Sequence, residues 1–216
     1  MNKVARQINK ICLAAMFLAL CWLMPFLTAS NPELGNMFLP MHIPVFIAGF
    51  VLGPFYGGLI GLLGPITRTL IFGAPPIFNS IPMCFELATY GFISGLLFSL
   101  LVKKLNKVDS LLAIYIALIS AMVIGRIVGG FVSYIVTFFN ANSNGYTWSA
   151  YWTSYFVMAW PGMILQLVVI PALIRLLYGL NLLKNTNTFN QIKEKIIILI
   201  ILRTIINKTW IYRFIT

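Results

Sequence analysis

Long apolar segments alternate with short polar ones along most of the chain. The apolar segments cover residues 11–29, 38–53, 54–72, 81–102, 111–139 and 150–180. A transmembrane helix needs roughly 20 apolar residues, so this pattern predicts an all-α integral membrane protein. Only Gly53-Pro54 interrupts the stretch from Met37 to Phe72. That dipeptide is either a turn between two helices or a kink within one long helix.

The basic residues decide between these two interpretations, because lysine and arginine collect on the cytoplasmic side of short loops. They fall into three groups, at residues 3–10, at residues 103–107 and from Arg175 onward, apart from two that lie inside apolar segments. The segments 30–43, 73–80 and 140–149 contain no lysine or arginine. A turn at Gly53-Pro54 places all three groups on one side of the membrane. The sequence therefore predicts a six-helix transmembrane bundle with a short second helix and both termini in the cytoplasm.

Composition agrees with a membrane protein. Of the 216 residues, 60% are hydrophobic and 9% are charged, whereas soluble domains carry about 25% charged residues. The net charge of +11 follows from orientation in the membrane, so no nucleic-acid partner is expected. The basic start and first apolar run also resemble a secretory signal, but the length of that run favours a retained helix.

Residues 1–184 are predicted to form one membrane domain. Residues 185–216 form a basic tail rich in isoleucine and asparagine, and its apolar run Ile196–Leu202 is too short to span a bilayer. We expect this tail to be interfacial or poorly ordered.

Small residues recur four positions apart in several predicted helices. The glycines with this spacing are Gly49, Gly53, Gly57 and Gly61, then Gly91 with Gly95, and Gly125 with Gly129. Small residues at this spacing allow helix backbones to approach closely in lipid, so they predict tight packing. Ala15 and Ala19 repeat the spacing on the first helix.

Charged residues inside the predicted helices are the first candidates for function. Outside the cytoplasmic groups, the basic residues are Arg68 and Arg126, and Glu86 is the one acidic residue within a predicted span. A charge at bilayer depth costs about 2.5 to 3.5 kcal/mol, so it is normally paired or faces a cavity. Arg68 and Glu86 either bind a ligand or form a salt bridge between helices. Arg126, beside Gly129 and Gly130, has room for a ligand or for a neighbouring backbone.

Uncharged polar and aromatic residues complete the candidate set. His42, the only histidine, is a capping or packing residue or a ligand-binding one. Tyr90 follows Glu86 by four residues and shares its helix face. Aromatic residues near residue 150 form a belt at the membrane interface or line a site in part. The candidate substrate-binding residues are Arg68, Asn79, Glu86, Tyr90, Arg126, Trp152, Trp160, Gln166 and His42. They predict a site in the outer half of the bundle, between the fourth, fifth and sixth helices.

Motifs for catalysis are missing from the sequence. It contains no H-E-x-x-H, no phosphate-binding G-x-x-x-x-G-K-[ST] and no G-x-S-x-G. Cys12, Cys21 and Cys84 lie in apolar segments, where a thiol behaves as a small hydrophobe. We therefore expect no enzyme, no ATPase within this chain, no metal and no cofactor.

Two stretches resemble a known family. They are residues 41–58, MHIPVFIAGFVLGPFYGG, followed by Gly64-Pro65, and residues 85–91, FELATYG. These stretches are similar to the substrate-binding S components of energy-coupling factor (ECF) transporters, and the resemblance covers roughly residues 10–180.

The resemblance implies six helices that hold a vitamin or similar micronutrient near the extracellular side of a prokaryotic cell membrane. It also implies a complex with a membrane coupling subunit and two cytoplasmic ATPases. The A-x-x-x-A pattern of Ala15 and Ala19 looks like the family's contact with the coupling subunit.

The alternative function is a self-sufficient secondary transporter or channel, which usually has internal repeats. No convincing repeat is visible in the sequence, and no nucleophile and base form a clear pair for an intramembrane enzyme. Two arginines, a carboxylate and several aromatic residues suit a small polar molecule with a flat ring or mixed charge. Vitamin B6 compounds, pantothenate and riboflavin all remain open, and a ring-containing vitamin is favoured.

Overall fold

The computed structural model describes residues 3–28, 35, 37–105, 111–139, 153 and 157–179. Its six longest helices are α1 (Lys3–Leu23), α2 (His42–Leu52), α3 (Pro54–Phe72), α4 (Ile77–Leu105), α5 (Leu111–Phe139) and α6 (Trp160–Gly179). A 3-10 helix, Met24–Thr28, continues α1. No strand occurs within the described residues. Trp152 and the tail 185–216 lie outside them.

Five of these helices, α1 and α3 to α6, are long and apolar enough to cross a membrane. The exception is α2, an apolar helix of 11 residues. The predicted all-α membrane bundle with a short second helix is therefore confirmed.

The chain reverses direction at Gly53. Its φ of 93° and ψ of 177° lie in a region that residues with a Cβ rarely adopt. A Cβ on Gly57 would lie 2.6 Å from the Cα of Gly49, although in a continuous helix these two residues would be about 12 Å apart. Pro54 begins α3, where its missing N–H leaves no helical hydrogen bond unmade. The turn between two helices is therefore correct, and the continuous helix is not.

Glycines bring the backbones of α2, α3 and α4 into contact. A Cβ on Gly95 would lie 2.6 Å from the carbonyl oxygen of Gly49, and one on Gly57 would lie 2.6 Å from that of Gly91. A Cβ on Gly61 would overlap the backbone of Leu87. The pairs Gly57 with Gly91 and Gly61 with Leu87 run in opposite directions, so α3 and α4 are antiparallel. The predicted role of the glycine spacing in close packing is confirmed here.

The short helix α2 lies in the interior of the bundle. Ten of its 11 residues are buried, and it packs against α1, α3 and α4. A helix that is apolar on all sides is suited to such a position. Because His42 is the first residue of α2, its imidazole is carried into the protein interior, where it is 2% exposed.

Helix α1 is the least enclosed of the candidate membrane spans. Only 6% of the apolar stretch of α1 is buried, whereas 28 to 50% of the apolar stretch is buried in each of the other four helices. Cys21 is fully buried, and the Trp22 Nε1–H donates to Thr67 Oγ1 of α3 at 2.8 Å. Ala15 and Ala19 are exposed. The carboxyl end of α1 is thus attached to the bundle, while the alanine face is uncovered.

Two adjacent glycines of α3 give a matched test of the close packing. Gly57→Ala should lower the free energy of unfolding by about 1 to 3 kcal/mol, because its Cβ would meet two backbones and overpacking costs that much. Gly58→Ala is the control, since its Cβ would lie 3.4 Å from the nearest atom, the Cβ of Phe92. Melting temperatures in detergent measure both variants. Equal stability of the two would contradict the packing of α3 against α2 and α4.

Candidate functional site

Four helices bring buried polar side chains into the interior of the bundle. The residues are His42 of α2, Glu86 and Tyr90 of α4, Arg126 of α5 and Gln166 of α6, each between 1% and 5% exposed. Charged residues are rarely buried unless they are paired, so this cluster is the first candidate for a site. We call these five residues the polar cluster.

Glu86 is the centre of the polar cluster. The Tyr90 hydroxyl donates to its Oε1 at 2.5 Å, as the spacing of four residues on α4 permits. His42 Nε2 lies 3.9 Å from the same oxygen, which is within ion-pair range but too far for a hydrogen bond. Arg126 is buried on α5, three residues before Gly129, where α5 packs against the Glu86 side chain. The Glu86 carboxylate therefore faces Tyr90 and His42 directly, and α5 brings the positive charge of Arg126 into the same region.

Two glycines of α5 make room for Glu86 and Tyr90. A Cβ on Gly129 would lie 2.9 Å from the Cβ of Glu86 and 3.1 Å from its Oε2, and one on Gly125 would overlap the Tyr90 ring. The sequence predicted room for a ligand or a neighbouring backbone beside Arg126, at Gly129 and Gly130. At Gly129 this prediction is wrong, because the Glu86 side chain occupies the space.

Aromatic rings form one wall of the polar cluster. Phe46 stacks on Tyr90 with ring centroids 4.8 Å apart and an interplanar angle of 26°. The His42 ring is tilted against Tyr90 at 5.4 Å. Phe46 was missed by the sequence analysis, although it follows His42 by four residues and so shares its helix face. The stacked Phe46 and Tyr90 rings thus place apolar aromatic groups next to the charged ones.

His42 has unused hydrogen-bonding capacity. Within the described residues, neither Nδ1 nor Nε2 has a hydrogen-bond partner. A buried polar group without a partner costs about 1 to 3 kcal/mol, so this imidazole is well placed to bind an additional molecule. A capping role is not supported, since the residue at the N-cap of α2 is Met41 and makes no side-chain cap bond.

Gln166 joins α6 to this region through the backbone before α2. Its Nε2 donates to the carbonyl oxygen of Leu39 at 3.4 Å, and the His42 N–H donates to the same oxygen at 3.1 Å. Gln166 therefore helps to hold the segment that enters α2.

Three further candidates are not part of the polar cluster. Arg68 donates from Nη1 to the carbonyl oxygen of Ala74 at 2.9 Å, and no ion pair between Arg68 and Glu86 occurs in the described part of the chain. Asn79 is exposed, and Trp160 is 56% exposed at the start of α6. The fourth, Trp152, is outside the described residues. The structure thus gathers His42, Glu86, Tyr90, Arg126 and Gln166 and places Arg68, Asn79 and Trp160 elsewhere.

A bundle of long apolar helices that buries charged side chains in its interior belongs to the class of multi-pass membrane proteins. The model of the family described as "ECF transporter, substrate-specific component" matches residues 9–174, which is more than half of the chain. The protein belongs to this family of transporter substrate-binding subunits, whose members are not enzymes. No curated protein and no solved structure matches the chain.

Proposed function

We propose that this protein is the high-affinity membrane-embedded binding subunit for a small water-soluble vitamin or related micronutrient. The observation that carries the proposal is the buried polar cluster, in which His42 faces Glu86 and Arg126 is buried on the helix that packs against Glu86, inside a bundle of the ECF substrate-specific family. Buried ionisable groups in a membrane protein mark substrate sites and ion pathways.

The site lies in the outer half of the bundle if the basic residues face the cytoplasm. Glu86 is nine residues from the start of α4 at Ile77, about 14 Å along the helix. Arg126 is 13 residues from the end of α5 at Phe139, about 20 Å. Both helix ends adjoin segments without lysine or arginine, which are extracellular by the positive-inside rule. A substrate from outside would therefore reach the cluster without crossing the whole membrane.

The groups of the polar cluster suit a ring-containing molecule. Phe46 and Tyr90 supply an aromatic surface against which a flat ring packs favourably. Glu86 accepts hydrogen bonds, Arg126 donates them, and the His42 imidazole does either, according to its tautomer. A few directional polar groups beside an aromatic wall are typical of small-molecule sites.

Delivery of the substrate inward requires partners. Members of the family work with a membrane coupling subunit and ATPase subunits, and the sequence contains no phosphate-binding loop of its own. We assign the coupling contact to the exposed face of α1 that carries Ala15 and Ala19, where small side chains permit close helix contact. The partners are then one coupling subunit and two cytoplasmic ATPases in a prokaryotic cell membrane.

Reconstitution into liposomes tests this function. We expect the purified chain to retain a tightly bound vitamin or related micronutrient but to transport none of it, with uptake beginning only when the coupling subunit, the ATPases and ATP are added. Mass spectrometry identifies the bound compound, and its radiolabelled form measures uptake. Transport by the chain alone would instead establish a self-sufficient secondary transporter or channel.

A further inference from the structure

The charges of the polar cluster balance each other. Among the described residues of the cluster, Glu86 contributes one negative charge and Arg126 one positive charge, and α5 packs against the Glu86 side chain at Gly129, three residues from Arg126. Tyr90 and His42 also face this carboxylate, and neither adds a charge in its neutral form. Arg68 of α3 does not add to this charge balance. Its guanidinium donates to the Ala74 carbonyl oxygen, outside the polar cluster. The polar cluster therefore carries no net charge when His42 is neutral.

A balanced site favours a ligand whose own charges balance. Glu86 and Arg126 are the one acidic and one basic residue of the cluster, and they lie on facing helices, so the charge of an anionic or cationic ligand would leave this region with an unbalanced charge. A buried charge without a partner is strongly unfavourable. An uncharged or zwitterionic ligand adds no net charge. Its polar groups can form hydrogen bonds with the side chains of the cluster and leave the charge balance of the cluster unchanged.

The unused hydrogen-bonding atoms specify what such a ligand must carry. His42 offers two ring nitrogens that have no hydrogen-bond partner within the described residues. A carboxylate offers about four lone-pair positions, so Glu86 has acceptor positions beyond the bond from Tyr90. An O–H or N–H group on the ligand would donate a hydrogen bond to Glu86. A second polar group on the ligand would form a hydrogen bond with a ring nitrogen of His42.

We propose that the polar cluster selects a small molecule with no net charge that carries O–H or N–H groups, and discriminates against its phosphorylated or carboxylated relatives. This inference rests on the proposed function, because it assigns the ligand class of the same site.

Three matched pairs of compounds test the proposal at pH 7 on the purified full-length chain. They are riboflavin and its 5′-phosphate, pyridoxine and its 5′-phosphate, and panthenol and pantothenate. Thermal stabilisation in detergent finds the pair that binds, and calorimetry gives both affinities. We expect the uncharged member to bind about tenfold or more tightly than its anionic partner.

The Glu86→Gln variant checks that the discrimination arises from the cluster charge. Removing one negative charge should narrow the ratio of the two affinities within the binding pair, because the positive charge of Arg126 is then no longer offset by Glu86 and favours an anionic ligand. Exposed Arg175 of α6 supplies the control, since Arg175→Met changes the net charge of the protein without changing the cluster and should leave the ratio unaltered. An unaltered ratio in Glu86→Gln would overturn the proposal.

The outcomes separate this inference from the proposed function. If no pair binds, the compound that copurifies with the chain is identified by mass spectrometry, and a compound with no net charge at pH 7 supports the proposal. An anionic member that binds as tightly as its uncharged partner, or a copurifying compound with a net charge, overturns the charge rule and leaves the binding function intact. The absence of both binding and a copurifying compound overturns the proposed function together with this inference.

Discussion

Replacing Glu86 with glutamine should weaken binding of the copurifying molecule by about tenfold or more. The carboxylate accepts from Tyr90 at 2.5 Å and faces His42 at 3.9 Å, and α5, which carries Arg126, packs against the Glu86 side chain. Leaving a buried partner unsatisfied costs about 1 to 3 kcal/mol or more, and 1.4 kcal/mol is a factor of ten in affinity. Arg126→Met should weaken binding at least as much, because it leaves the Glu86 charge buried without its counterion.

Calorimetry on the two variants, with equal amounts of folded protein, measures this effect beside their melting temperatures. Arg175→Met is the control for loss of a basic side chain, since Arg175 is exposed on α6 and its replacement should leave affinity unchanged. A lower melting temperature with unchanged affinity in both cluster variants would mean that these residues only hold the helices together. That result would contradict the proposed site.

Replacing Ala15 and Ala19 together with tryptophan should abolish uptake by the assembled transporter while the isolated chain still binds its substrate. Both alanines are exposed on α1, on the side opposite the residues that pack against the core. Large side chains there would hold a partner helix away, since close helix contact in lipid depends on small residues. Uptake assays and copurification of the coupling subunit measure the loss.

A matched double variant on another helix controls for added bulk at the lipid surface. Val123 and Ile127 of α5 are four residues apart and 50% and 58% exposed, so Val123→Trp with Ile127→Trp should preserve uptake. Full uptake by the α1 variant would show that its alanine face is not the coupling surface.

The helices were predictable because lipid imposes simple rules on sequence. Apolar segments of sufficient length form helices in a membrane, and the positions of the basic residues along the chain correctly predicted a turn at Gly53-Pro54. Helix boundaries were harder to predict. Helix α4 begins at Ile77 and not near residue 81, because Pro76 supplies a carbonyl that accepts from the Asn79 and Ser80 N–H groups and so starts the helix early.

Within the candidate site, the spacing of residues along the sequence predicted contacts within one helix but not contacts between helices. Glu86 and Tyr90 share a helix, so their pairing followed from their spacing of four residues. The contact of His42 with Glu86 depends on the burial of α2 against α4, which sequence spacing does not reveal. Arg68 donates to the backbone carbonyl oxygen of Ala74. Every residue has a backbone carbonyl, so the sequence could not indicate which one Arg68 would bond. Whether Arg68, Asn79, Trp152 and Trp160 contact substrate stays a prediction.

The most direct test of the central claim is an experimental structure of the purified protein with its copurifying molecule bound. We predict density for that molecule beside the Phe46 and Tyr90 rings, with polar atoms within hydrogen-bond distance of the His42 and Glu86 side chains. Density confined to another part of the bundle, with the polar cluster unchanged and closed, would contradict the assignment of this cluster as the substrate site.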